Sequence, residues 1–134
     1  MQWLIRWPNC AQYCATMVDP LIAPGASICA GLQVIERGNG VRFNLTIDGR
    51  VEPAFLVRFG DAVYAYRNQC AHIPMELDWN AGKFFDSEQQ LLLCSTHGAA
   101  YDPISGACLS GPCRNGELLP VRINERGRLI YLEG

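Results

Sequence analysis

Two short segments, Cys70-Ala71-His72 and Cys94-Ser95-Thr96-His97, decide how this chain of 134 residues is interpreted. They contain both histidines of the chain, and in each segment the histidine follows a cysteine by two or three positions. Each segment comes after an apolar run that we predict to be a strand. Two loops on a rigid β scaffold, each offering one thiolate and one imidazole, form a four-ligand site for a metal.

Three interpretations compete for these four side chains. The first is coincidence, with the cysteines as small buried residues and the histidines on the surface, and it requires chance to place both histidines beside cysteines. The second is a structural zinc site, whose Cys2His2 shell matches the ligand count, although zinc sites usually group a cysteine pair before a histidine pair. The third is a 2Fe-2S cluster with two cysteines on one iron and two histidines on the other, for which an interleaved order is natural.

Length and composition limit the class of protein. A chain with 49% hydrophobic and 18% charged residues is expected to fold as one domain, and this composition excludes a disordered or collagen-like protein. The formal net charge is -2 and Lys83 is the only lysine, so we expect no binding of nucleic acid and no membrane partner. No apolar run approaches the roughly 20 residues that a membrane span needs.

The chain has seven cysteines, an odd number, and a domain of this size does not need disulfide bonds to fold. We therefore expect metal ligands or reduced thiols, and a cytoplasmic location. Cys29 is predicted to be a core residue. Cys10 and Cys14 have no further ligand nearby in the sequence, and a bond between Cys108 and Cys113 is disfavoured in a reducing compartment.

Short apolar runs separated by Gly, Asn and Asp predict an all-β fold, a small antiparallel sandwich or barrel. Apolar and polar residues alternate over 41–47, so this strand should bury one face. Pro120 cannot donate to a ladder, which places it at an edge or at a strand start. The predicted strands span residues 28–35, 41–47, 54–59, 62–66, 91–93, 118–123 and 129–132.

At the two Cys/His segments the chain resembles the Rieske family of [2Fe-2S] proteins. The residues that follow, Gly98-Ala99-Ala100-Tyr101-Asp102, then Gly106 and Gly111-Pro112, resemble the family's second cluster loop, the turn after it and the proline loop that covers the cluster. The resemblance implies a Rieske-type β domain over residues 25–134, after an N-terminal extension of residues 1–24. It also implies one [2Fe-2S] cluster per chain.

The same resemblance implies a role for individual residues. The two cysteines would ligate the buried iron and the two histidines the outer iron near the surface, while a tyrosine hydroxyl would bond to a cysteine sulfur. No catalytic residue is expected. The implied cofactor-binding residues are Cys70, His72, Cys94, His97, Tyr101 and Pro112, of which the first four are the metal ligands.

The chain departs from the respiratory members of the family at three positions. Their loop-bridging disulfide would fall at Met75 and Thr96, and their serine hydroxyl near the cluster would fall at Ala99. Fewer hydrogen bonds to the sulfurs stabilise the reduced cluster less and lower its potential. We therefore predict a midpoint in the lower part of the window of about -150 to +300 mV that Rieske centres span.

The function implied is that of a soluble, ferredoxin-like one-electron carrier between a reductase and an oxygenase or another redox enzyme. The chain itself is not expected to be an enzyme, because a mononuclear iron needs two histidines and a carboxylate, and both histidines already serve the cluster. Two alternatives stay open. They are a zinc-stabilised Cys2His2 interaction module and a Rieske-fold accessory subunit of a larger enzyme.

The segment between the two loops is a few residues longer than is usual in the family. We expect this insertion, with Trp79, Gly82, Phe84 and Phe85, to leave the ligands undisturbed. The segment also contains four acidic residues, Glu76, Asp78, Asp86 and Glu88, beside one lysine. It is interpreted as a solvated loop or, alternatively, as a docking surface for a basic redox partner.

Overall fold

The computed structural model describes residues 19–71, 75–112 and 116–133. Within these ranges the regular structure is β-strand apart from one 3-10 turn, Gly31–Gln33. The strands are β1 (Ser27–Ala30), β2 (Val41–Ile47), β3 (Arg50–Phe59), β4 (Ala62–Arg67), β5 (Leu92–Leu93), β6 (Ala100–Tyr101), β7 (Cys108–Ser110), β8 (Pro120–Val121), β9 (Ile123–Arg126) and β10 (Leu129–Leu132).

These strands form three antiparallel sheets, in the orders β9-β10-β1, β2-β3-β4-β8 and β5-β6-β7. The predicted all-β antiparallel fold is therefore confirmed. The central sheet is built on the hairpin of β2 and β3, which pairs from Val41 opposite Leu56 to Ile47 opposite Arg50. Its turn is Asp48-Gly49, where both residues have positive φ, the conformation that two-residue hairpins require.

The central sheet is buried on both faces, because successive side chains of a strand point to opposite sides. Phe55 and Val57 of β3 belong to a cluster that we call the site core, together with Cys70, Cys94 and other buried residues. Ala54 and Leu56, the alternating residues, belong to a second cluster, which we call the distal core. The distal core also contains Ile22, Val34, Phe43, Leu45, Ala65, Ile130 and Leu132.

The inter-loop insertion is anchored in the site core by Phe84. Its ring is buried and stacks on Phe55, with centroids 3.9 Å apart and an interplanar angle of 10°. Gly40 allows this approach, since a Cβ there would lie 2.7 Å from the Phe84 ring. The Gly40 N–H also donates to the carbonyl of Gly82 at 2.7 Å, so the insertion is hydrogen-bonded to the residue that precedes β2 as well as packed on Phe55.

Several predicted strand boundaries are wrong for identifiable reasons. The strand predicted to start at residue 54 starts at Arg50, because Pro53 lies opposite Asn44 in a non-hydrogen-bonded pair and no N–H is needed there. The strand predicted over 28–35 ends at Ala30, where the 3-10 turn begins. The strand predicted over 118–123 is two strands in different sheets, although Pro120 does begin an edge strand as expected.

Part of the predicted N-terminal extension packs against β2. Residues 1–18, with Cys10 and Cys14, lie outside the described residues. The Ile22 N–H donates to Asn44 O, and the Asn44 N–H donates to Pro20 O, each at 2.8 Å. Nowhere in the described ranges does a helix have the length and apolar character that crossing a membrane requires.

Candidate metal centre

The two predicted cysteine ligands come together at one end of the fold. Cys70 lies three residues after β4, and Cys94 directly follows β5. Both are buried in the site core, and Cys94 has no exposed surface. Their thiols lie within hydrogen-bonding distance of each other. Two buried thiols in contact are suited to hold a metal together.

The second loop aims backbone donors at the sulfur of Cys94. It is a tight turn in which the Cys94 N–H donates to Ala99 O at 2.8 Å and the Gly98 N–H donates to Cys94 O at 2.9 Å. Burial and the adjacent Cys70 raise the pKa of the Cys94 thiol, whereas hydrogen bonds from the backbone N–H groups of Thr96 and His97 act in the opposite direction. Such donors stabilise a sulfur that carries negative charge, as a metal-bound thiolate does.

Tyr101 serves the first loop in the same way. Its hydroxyl oxygen lies 3.2 Å from Cys70 Sγ and accepts a hydrogen bond of 2.9 Å from the Ala71 N–H. Because a metal-bound thiolate has no proton to give, the tyrosine must then be the donor to the sulfur. Burial, followed by the hydrogen bond with Cys70, raises the pKa of Tyr101, so the hydroxyl keeps its proton.

A glycine brings a third segment against the second loop. Gly111 has a φ of +92°, and a Cβ there would lie 2.8 Å from Ala99 Cα and 3.0 Å from Gly98 O. Only glycine combines this conformation with this approach. Pro112, predicted to belong to the loop over the cluster, follows directly and is exposed. Ala99 is buried in the site core and offers no hydroxyl to the sulfurs.

The histidine side of the site is described only in part. His97 is exposed at the end of the second loop, whereas His72 lies outside the described residues, as does Cys113. Among the described residues, no group of three or more His, Cys, Asp or Glu side chains is arranged to hold a metal ion. The buried thiol pair and the donors aimed at its sulfurs nevertheless fit the cysteine side of a [2Fe-2S] cluster.

The remaining predictions for single residues have mixed outcomes. Cys29 is a free, half-buried thiol beside the distal core, and burial raises its pKa. Cys108 is disulfide-bonded, contrary to our expectation of reduced thiols. Asp78 is buried and paired with Arg42, so the interpretation of the insertion as a solvated acidic surface is wrong for this residue, whereas Glu76 also pairs with Arg42 but is exposed.

Sequence reasoning missed the polar residues that support the first loop. Asn68 is buried two positions before Cys70, and its side chain contacts Asp78 and the backbone of Leu77. Arg42 reaches Asp78 from 36 positions away in the chain. The one local indication in the sequence is an asparagine at the end of an apolar strand, and this does not reveal that Asn68 binds Asp78 and Leu77.

Comparison with known proteins identifies the family. A family model described as the Rieske [2Fe-2S] domain matches residues 33–123. The chain belongs to this Rieske family. Its Rieske domain implies one [2Fe-2S] cluster per chain, as predicted. No curated protein sequence matches the chain.

Solved structures of Rieske proteins share the fold. The ferredoxin of carbazole 1,9a-dioxygenase from Nocardioides aromaticivorans is 25% identical, with a TM-score of 0.64 over 82% of this chain and 97% of that one. A ferredoxin of Sphingomonas yanoikuyae is 15% identical, with a TM-score of 0.63 over 82% of this chain and 98% of that one. A chain from a complex of oxygenase and ferredoxin in carbazole 1,9a-dioxygenase is 21% identical, with a TM-score of 0.62 over 81% and 91% of the two chains.

Tyr101→Phe is expected to lower the midpoint potential of this Rieske protein, because the lost hydrogen bond stabilises the more negative, reduced cluster more than the oxidised one. A net value of about 0.5–1.5 kcal/mol corresponds to a shift of about 20–60 mV for one electron. The measurement is a redox titration of the purified protein.

Tyr66→Phe is the matched control for this titration. Tyr66 is also a buried tyrosine of the site core, but its hydroxyl donates to Pro103 O at 2.7 Å instead of contacting a sulfur. Its loss should leave the midpoint unchanged within about 10 mV, since it removes no bond to the cluster. Equal shifts in the two variants would show that the Tyr101 hydroxyl does not act through Cys70.

Proposed function

We propose that this Rieske protein is a ferredoxin that transfers one electron at a time between a reductase and an oxygenase or another redox enzyme. The observation that carries this proposal is the similarity of its fold to almost the full length of a Rieske ferredoxin, 97% of that chain. It is an electron-transfer protein rather than an enzyme, and we assign no catalytic residue.

The proposed partners follow from a complex in which a similar protein takes part. One similar chain comes from a complex between an oxygenase and its ferredoxin. Transient redox partners use small interfaces, so a single small domain can serve a reductase and an acceptor in turn.

We assign the ligands by their position in the two loops. Cys70 and Cys94 would hold the buried iron, since their thiols are in contact and excluded from water. His72 and His97 would hold the outer iron, which agrees with the exposure of His97. When bound, the cluster accepts and releases one electron, while the chain supplies hydrogen bonds to the cysteine sulfurs and keeps water from them.

The first test is a metal and spectroscopic analysis of anaerobically purified protein. We expect about two irons and two acid-labile sulfides per chain, and a low average g value in the electron paramagnetic resonance spectrum after reduction with dithionite. The midpoint should lie below about 0 mV, in the lower part of the range of Rieske centres. Zinc without sulfide would instead establish the interaction module, and a midpoint well above zero would refute the predicted loss of hydrogen bonds to the sulfurs.

We further propose that the protein works in the cytoplasm and that its domain comprises residues 25–134 together with the segment 20–24. The free thiol of Cys29 agrees with a reducing compartment, whereas the disulfide bond of Cys108 is of a kind that is rare there. The packing of Ile22 in the distal core supports the inclusion of the segment before residue 25. Cell fractionation and limited proteolysis test the two proposals.

A further inference from the structure

A polar network connects the two ends of the first cluster loop. We call it the loop clamp, and it consists of the side chains of Arg42, Asn68 and Asp78. Asn68 lies two residues before Cys70, and its Oδ1 accepts a hydrogen bond of 2.8 Å from the Leu77 N–H. This bond joins the residues on either side of the loop that carries Cys70 and His72. The Asn68 N–H donates to Pro53 O at 2.8 Å, which fixes the same residue to β3.

Asp78 determines which way the Asn68 amide points. Its Oδ1 accepts a hydrogen bond of 3.1 Å from Asn68 Nδ2, so the amide oxygen must face Leu77. Its Oδ2 accepts a bond of 2.8 Å from the Gly82 N–H at the beginning of the insertion's return to the core. The Asp78 side chain has no exposed surface. Buried in this way, a carboxylate needs every one of these donors.

Arg42 supplies the opposite charge. Its Nη1 lies 2.9 Å from both oxygens of Asp78, and Arg42 also pairs with Asp19 and Glu76 at 3.0 Å each. The side chain of Glu76, unlike that of Asp78, is 44% exposed. Glu76 and Asp78 therefore share one cation with Asp19, but the Glu76 carboxylate is at the surface and the Asp78 carboxylate is inside the clamp.

The clamp also reaches the second cluster loop. The Leu77 carbonyl accepts a hydrogen bond of 3.0 Å from the N–H of Ser95, the residue after Cys94. Leu77 is itself buried in the site core. Its peptide groups thus connect Asn68 on the first loop to Ser95 on the second, and the orientation of one amide bears on the spacing of both cysteines.

We propose that Asn68 and Asp78 are positioning residues of the cluster site, which hold the two cysteine-bearing loops at the separation that retains the cluster. This inference rests on the proposed function, since it presumes that the loops hold a [2Fe-2S] cluster. Neither residue touches the sulfurs. Asn68 acts through Leu77, and Asp78 acts by orienting Asn68.

The hydrogen-bond pattern predicts how substitutions behave. In Asp78→Asn one oxygen becomes an NH2 group, which must face a donor, either Asn68 Nδ2 or the Gly82 N–H, and Arg42 Nη1 loses one of its two acceptors. In the exchange Asn68→Asp with Asp78→Asn the contacts between the two loops are made again: the new carboxylate accepts from Leu77 and from the new amide, whose oxygen accepts from Gly82 and from Arg42. The pair of changes therefore restores the bonds that join Asn68, Leu77 and Gly82, although Arg42 keeps one acceptor at position 78 in place of two.

The experiment measures the rate at which purified, cluster-loaded protein loses iron to a chelator under anaerobic conditions, followed by its visible absorbance. We expect Asp78→Asn to lose the cluster about tenfold faster than the wild type, the effect of one unmade buried hydrogen bond to a charged group. Glu76→Gln, which removes the same charge from the same arginine at the surface, should stay within about twofold. The exchanged pair remakes the bonds between the loops, so it should lose the cluster at least about threefold more slowly than Asp78→Asn.

Two further measurements separate positioning from general stability. Ile130→Ala destabilises the distal core without touching the clamp, so its rate of cluster loss should follow the wild type even though its melting temperature falls. Hydrogen–deuterium exchange of peptides with Leu77 and Ser95 should speed up about tenfold in Asp78→Asn and not in Ile130→Ala. Where Asp78→Asn does not yield folded protein, Asn68→Ser, which leaves the pair of Arg42 and Asp78 intact, is measured in its place with the same expectation.

The outcomes are distinct. If the wild-type protein lacks iron and sulfide, the proposed function is refuted. If the wild-type protein holds its cluster, the positioning role alone is refuted by any of three results. These are equal rates of iron loss in Asp78→Asn and Glu76→Gln, an exchanged pair that loses iron as fast as Asp78→Asn, or cluster loss that follows the melting temperature in all variants.

Discussion

Cys94→Ala is expected to abolish cluster binding, with iron and sulfide falling to background and the visible colour lost. The reason is the position of the thiol: it is fully buried, in contact with Cys70, and receives backbone hydrogen bonds from Thr96 and His97. Among the described residues, Cys70 is the one other thiol buried in the site core, and it would already serve as a ligand itself. Iron and sulfide analysis of the purified variant gives the result directly.

Cys29→Ala is the matched control for this loss. Cys29 is also a free, partly buried cysteine, but it lies in β1, beside the distal core. Its substitution should leave iron, sulfide and the electron paramagnetic resonance spectrum as in the wild type. If Cys94→Ala kept a full complement of iron and sulfide, our assignment of the buried ligands would be wrong even though the family is right.

Phe84→Ala is expected to cause a larger loss of folding stability than any other substitution proposed for the insertion. The ring is fully buried and stacked on Phe55, and it holds the insertion against the central sheet. Truncating such a ring costs about 3–5 kcal/mol through lost burial and the cavity left behind. For a domain of this size the melting temperature should fall by roughly 10–20 °C. Thermal and urea denaturation, monitored by circular dichroism, measure both quantities.

Trp79→Ala tests whether the loss of stability comes from the buried packing of Phe84 or from any change in the insertion. Trp79 lies in the same insertion and is larger, but 80% of its surface is exposed. Its removal should change the free energy of unfolding by less than about 0.5 kcal/mol. A variant at Phe84 as stable as the one at Trp79 would mean that the insertion is not anchored through the site core.

The fold could be predicted from the sequence where a strand is long and buried on one face. Residues 41–47 alternate apolar and polar side chains, and β2 has these boundaries. Strands of two or three residues, such as Ala100–Tyr101 and Cys108–Ser110, carry no period to detect. The predicted start of β3 is wrong at Pro53. A strand tolerates proline where its nitrogen does not face a hydrogen-bond acceptor, and this depends on the pairing of Pro53 with Asn44, which the sequence does not reveal.

The site could be predicted where its chemistry is local in the sequence. Cysteine and histidine within three positions of each other, repeated in two loops, indicated Cys70 and Cys94, which the structure brings together, and the resemblance to the family indicated the contact of Tyr101 with Cys70. The ligand set as a whole stays a prediction. The supporting residues could not be found in this way, because Arg42 and Asp78 are 36 positions apart and meet only in the folded chain. From the sequence, the charge of Asp78 indicated an exposed position, whereas its bonds with Arg42 and Asn68 hold its side chain in the interior.

The close approach of Gly40 to the Phe84 ring bears on how this protein could be re-engineered. A Cβ at position 40 would lie 2.7 Å from that ring and 2.8 Å from the carbonyl oxygen of Leu56, so position 40 must stay glycine whatever residue stands at 84. Grafting a shorter inter-loop segment from another ferredoxin would therefore leave a void over Phe55 that a larger residue at 40 could not fill. A redesigned segment must bring its own apolar side chain to this place.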